Sequence, residues 1–69
     1  MSPVVVAYEA RDILIAKGYK VAVLIGSGFV GIAYPYGDQF LQIQIDNKNY
    51  ILGAETIAAE LENKIRDIN

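Results

Sequence analysis

The chain has 69 residues, a formal net charge of −2, and no Cys, His or Trp. That length holds one domain, residues 1–69, and excludes a full dinucleotide-binding fold, a barrel or a kinase. Without Cys or His there is no thiolate and no imidazole, so the usual nucleophile, neutral-pH base and metal ligands are missing, and neither an enzyme, a metal site nor a cofactor is expected.

A pI near 4.8 argues against a sequence-independent grip on phosphates, which needs clustered Lys and Arg. Hydrophobic residues make up 54% of the chain and charged ones 20%. Counted with Gly and without Tyr, 38 of the 69 residues are apolar, above the roughly 45–50% of average soluble domains, so a disordered chain is not expected. A domain this small hides only about 60% of the surface of its unfolded chain. Apolar residues beyond what it can hide point to a partner, and first of all to another copy of itself.

Residues Ser2 to Gly18 read as a helix. Ser2 suits the N-cap and Pro3 the first helical position, where a missing N–H costs nothing. Val6, Ala10, Ile13, Leu14 and Lys17 recur at helical spacing, and Gly18 suits a left-handed C-terminal cap. Val4, Val5 and Ile15 fall outside that stripe. The run Val4-Val5-Val6 is a poor helix former, because β-branched side chains lose rotamer freedom there.

Lys20 to Ile25 reads as a strand, with Val21, Val23 and Ile25 on one face and Ala22 and Leu24 on the other. Both faces are apolar, so both are expected to be covered. Gly26-Ser27-Gly28 is a turn, Phe29 to Tyr34 a second strand, and Pro35-Tyr36-Gly37-Asp38 a second punctuation. Val21 to Gly37 is a stretch of seventeen residues without a charge, the lower limit for a spanning helix. Its glycines, Ser27 and Pro35, and its Val, Ile, Phe and Tyr content, favour two strands over a span. The first residues lack the basic segment of a secretory signal, and a cytoplasmic protein is expected.

Gln39 to Ile45 alternates, with Leu41, Ile43 and Ile45 inward and Gln42 and Gln44 outward. Asp46-Asn47-Lys48-Asn49 reads as a hairpin turn and Tyr50-Ile51-Leu52 as a short last strand. Ala54 to Ile68 is the clearest helix, with Ala54, Ile57, Ala58, Leu61, Ile65 and Ile68 in one stripe. Glu60 with Lys64, and Glu62 with Arg66, form i,i+4 pairs in the favourable order. The expected fold is a single small α+β domain, α-β-β-β-β-α. Short connections make the sheet an antiparallel meander packed against the N- and C-terminal helices.

Gly26-Ser27-Gly28-Phe29-Val30-Gly31 matches the G-x-G-x-x-G nucleotide fingerprint after an apolar strand. That chemistry needs a helix directly after the glycines, whose N-terminus holds the pyrophosphate. The six residues before Pro35 are too few and too β-branched for it. A β-turn at Gly26 to Gly28, with a close packing contact at Gly31, accounts for the same residues. A small-ligand site near Gly26–Gly31 is the third functional reading.

Tyr34 and Tyr36 flank Pro35, so at least one is expected to be exposed, either as an interface anchor or, the preferred reading, with its ring capping the edge of a small core and its hydroxyl in water. Tyr19 and Tyr50 read as the rim of the core. Gln42, Gln44 and Lys48 are expected on one hairpin face, read first as a solvated sheet face and second as a groove-reading one, since Gln can read adenine edges. From Phe29-Val30-Gly31-Ile32 through Pro35-Tyr36-Gly37, Gln42 to Asp46 and Tyr50 to Gly53, followed by a helix, the chain resembles phage integrase arm-binding domains. A class of plant DNA-binding domains shares that three-strands-plus-helix layout. The resemblance covers about half the chain and implies sheet-borne DNA binding. Those families carry Arg and Trp on the sheet, where this sequence has Ala33, Tyr34, Gln42 and Gln44.

The leading functional reading is a non-enzymatic protein-interaction module that self-associates, as a homodimer, or binds another protein. Tyr34, Tyr36, Gln42, Gln44 and Lys48 are the candidate surface. A nucleic-acid-binding or regulatory module using the sheet face is the alternative, with nucleic acid disfavoured by charge. No membrane partner is expected.

Overall fold

In the computed structural model, which describes residues 2–68, two helices lie side by side on one face of a three-stranded antiparallel sheet. Helix α1 spans Pro3–Ala16, strands β1, β2 and β3 span Ala22–Gly26, Phe29–Tyr36 and Gln39–Gln44, and helix α2 spans Ala54–Asp67. The α+β class and the antiparallel meander are those expected from the sequence.

Helix α1 begins where Ser2 Oγ accepts the Val5 N–H at 3.3 Å. The valine run does not prevent the helix, because Val6 is fully buried and packing outweighs the small propensity cost. The helix ends in a Schellman motif. Tyr19 N–H donates to the Leu14 carbonyl and Gly18 N–H to the Ile15 carbonyl, with Gly18 at φ 95°. That geometry turns the chain sharply and delivers Tyr19 against α2.

The sheet register pairs Val23 with Ile32 and Ile32 with Ile43. Val21, Val23, Val30, Ile32, Tyr34, Leu41, Ile43 and Ile45 face the helices and meet Val6, Ala7, Ala10, Leu14, Ile57, Ala58, Leu61 and Ile65 in one core. Helix α1 lies over β1 and β2, and α2 over β3. Strand β2 runs on through Pro35 to Tyr36, two residues past the expected end. The Ile45 N–H donates to the Val30 carbonyl. Even-numbered residues of β2 therefore bond to β3 and odd-numbered ones turn toward β1. Strand β1 reaches no further than Ala22, opposite Ala33, so the missing N–H of Pro35 removes no ladder bond.

Beyond strand ends, the sequence and the structure differ in two larger features. The expected fourth strand, Tyr50–Leu52, is a single 3-10 turn. Asp46 explains it. Its Oδ1 accepts the N–H groups of Lys48 and Asn49 at 2.8 and 3.0 Å, which starts a helical turn in place of a hairpin. The Asn49 side chain locks this turn by accepting the Asp46 N–H and donating to the Gln44 carbonyl, both at 2.8 Å. The three strands are thus residues 22–44, and the strand that the integrase-like layout placed at Tyr50–Gly53 is absent.

The second difference is coverage. Both helices take the same sheet face, so among the described residues no element covers the opposite face of β1 and β2, where Gly31 and Ala33 are nonetheless buried by their neighbours. That face carries Ala22, Leu24, Phe29, Gly31, Ala33, Pro35, Phe40, Gln42 and Gln44 and has no charged residue. Phe40 is 60% exposed. A Cβ on Gly31 would stand 2.8 Å from the Ile43 carbonyl oxygen and 3.3 Å from the tip of the Phe29 ring. The glycine is a seat for that ring, as aromatic side chains commonly fill over strand glycines. Among the described residues, no helix is long and apolar enough to cross a membrane.

Candidate interaction surface

The residues singled out from the sequence are dispersed. Tyr34 is half-buried on β2, edge-on to Tyr19 with ring centroids 6.4 Å apart and planes at 82°. Tyr36 is exposed at the end of the same strand. Gln42 and Gln44 project from the bare face of β3, whereas Lys48 lies in the Asp46–Asn49 turn beyond the strand. The hairpin expected to hold these three residues together is not formed.

The glycine fingerprint folds as a hairpin. Gly26 pairs with Phe29, Gly28 takes φ 69°, and strand rather than helix follows. A shallow concavity of about 290 Å³ beside it is lined by Pro3, Phe29, Gln44 and Asp46 among others. It has no basic side chain, and Asp46 brings a negative charge, so its chemistry opposes a phosphate.

The best-organised polar cluster escaped the sequence reading. Glu62 forms the i,i+4 pair with Arg66 expected from the sequence, but it is only 7% exposed and has two more partners. Its Oε1 accepts from Lys17 Nζ at 3.0 Å. Its Oε2 accepts from the Tyr19 hydroxyl at 3.0 Å and from Arg66 Nη2 at 3.4 Å. The hydrogen bond from Lys17 holds the carboxyl below the ordinary glutamate range, and its desolvation works in the opposite direction without prevailing. The Tyr19 hydroxyl and the charges of Lys17 and Arg66 add to the lowering. A carboxylate held ionised by two cations and a phenol is a clamp between helices. One signal was present in the sequence: Glu62 stands four residues after Ala58 and three before Ile65, on the apolar stripe itself. Among the described residues, no group of three carboxylates is placed to hold a metal ion.

The remaining feature is the flank of the molecule where β1 ends the sheet. The pairing parity that turns Ala22, Leu24 and Gly26 toward β2 turns the backbone groups of Val23 and Ile25 outward. No described backbone group bonds them from that side. Strand β1 contains no charge, no Pro and no bulge, the devices by which natural edge strands avoid pairing. Above it, the side of α1 turned away from α2 carries Val4, Tyr8, Arg11 and Ile15 at helical spacing. Tyr8 and Ile15 are exposed, and Ile25 on the strand is 57% exposed. Arg11, the one charge in that row, bonds Asp12 at 2.8 Å and lies 4.8 Å over the Tyr8 ring.

Where β1 begins, an apolar hollow of about 410 Å³ opens among Ile15, Tyr19, Lys20, Val21, Ala22 and Pro35. No family model matches this chain, and neither a curated protein nor a solved structure matches it.

Proposed function

We propose that the protein is a small non-enzymatic interaction module of the cytoplasm that works as a self-associated assembly. The observation that carries this reading is the number of large apolar side chains left in water by so small a domain. Val5, Tyr8, Ile15, Ile25, Phe40, Ile51 and Leu52 are all exposed, and neither edge strand carries a charge. Scattered exposed apolar residues are ordinary. Here several of them line one flank beside unpaired backbone groups, which is the arrangement that invites a second chain.

The sheet-face nucleic-acid reading has less behind it. Gln42 and Gln44 are exposed, but the face around them has no cation to meet phosphates, which supply most of nucleic-acid affinity. The absolute mass by light scattering, followed across a wide concentration range, tests the proposal. A mass of two or more chains supports it. A 7.6 kDa species at every concentration would overturn it.

A further inference from the structure

Resting on that reading, we infer that the partner is a second copy of this chain, joined edge to edge through β1 about a two-fold axis at Val23. The pairing makes one six-stranded antiparallel sheet with four helices on one face.

The register follows from the backbone. The outward-facing groups of β1 belong to Val23 and Ile25, and the same alternation extended one residue before the strand turns Val21 outward too. An antiparallel copy centred on Val23 sets Val23 against the partner's Val23, and Val21 against the partner's Ile25. All three positions are then hydrogen-bonded pairs. A centre at Leu24 would put Val21 opposite the partner's Ser27, in the turn, and lose its bonds.

The same register solves a packing problem at both ends. Ile25, more than half exposed, arrives beside Val21 of the other copy. Val21 is one wall of the hollow lined by Ile15, Tyr19 and Pro35. A knob and a hole that lie at opposite ends of one strand are mutually complementary only under a two-fold operation, which is the signature of an isologous interface.

The helix layer agrees. Since α1 lies over β1 and β2, its copy would lie about two strand spacings away, roughly 10 Å. Packed helices sit about 8–10 Å apart. The two α1 helices therefore meet along Val4, Tyr8, Arg11 and Ile15. Arg11 brings its own counter-ion, Asp12, and Lys20 at the rim of the hollow is exposed, so its stem can line the contact while its ammonium stays in water. Strand β3 is a poorer edge, because the Gln44 carbonyl is already bonded by Asn49.

The test uses the full chain, with light scattering for mass and amide hydrogen exchange for the strand. The wild-type protein is expected at twice 7.6 kDa, with the Val23 and Ile25 amides slowed roughly a hundredfold or more against unpaired edge amides. Ile25→Lys replaces an exposed side chain with a charge. Val23→Pro removes an outward N–H that β2 does not use. Each is expected to give a folded monomer. A wild-type dimer with fast-exchanging Val23 and Ile25 amides, or one that both variants leave intact, would overturn edge pairing and leave self-association standing. A wild-type monomer at all concentrations would overturn both.

Discussion

Lys17 Nζ and Glu62 Oε1 meet at 3.0 Å although 45 residues of chain separate them. The contact depends on the Schellman turn at Gly18, which sets Lys17 and Tyr19 against one face of α2, and on Glu62 standing within that helix's apolar stripe. It ties the end of α1 to the middle of α2, and Glu62 is the one buried charged residue among those described.

Removing the acceptor strands its donors. Glu62→Ala leaves Lys17 and Tyr19 without their partner and is expected to lower the Tm clearly. Glu60→Ala, on the exposed side of the same helix, should change it little. Glu62→Gln keeps two polar atoms in place and should fall between the two. Thermal melts of the three variants at pH 7 give the order.

Acid should act through the same group. The folded carboxyl titrates below its ordinary range, so the unfolded chain takes up the proton first. The contribution of Glu62 is therefore complete above the unfolded glutamate value of about 4.3. It is lost as pH falls from there through the lower folded value. Denaturant midpoints of the wild type should drop across that acid window, and those of Glu62→Gln should drop less.

Gly31 and Gly26 both sit in the β1–β2 hairpin but should respond differently to a methyl group. Gly31→Ala drives a Cβ against the Ile43 carbonyl and the Phe29 ring and should cost about 1–3 kcal/mol. Gly26→Ala meets only Phe29 Cβ at 3.9 Å, an ordinary contact, and should fall within about 0.5 kcal/mol of wild type. Equilibrium unfolding in urea separates them.

Local signals carried most of the fold. Ser2, Pro3 and Gly18 mark both ends of α1, and the alternation of Leu41, Ile43 and Ile45 gives the inward face of β3. Tyr50-Ile51-Leu52 failed because three apolar residues have no readable period, and the Asp46 side chain decided for a helical turn. The bare sheet face was illegible because two apolar faces on a strand do not say how many helices will cover them. The Glu62 clamp joins residues too far apart in sequence for spacing to reveal. Of the candidate surface, Gln42 and Gln44 were placed outward as observed, while the flank at Val23 and Ile25 became visible only once β1 was seen to end the sheet.

Stability should depend on concentration. Mass action raises the Tm of a self-associating fold as protein is added. The wild-type Tm is expected to climb over a hundredfold concentration range, and that of Ile25→Lys to stay flat.

The most direct measurement is an isotope-filtered NOE experiment on a mixture of carbon-13-labelled and unlabelled chains, which reports only contacts between copies. Edge pairing about Val23 predicts cross-peaks from the Ile25 methyls to Val21 and Ile15 of the second copy. Cross-peaks confined to Phe40 and Leu24 on the bare face, or none between copies, would contradict it.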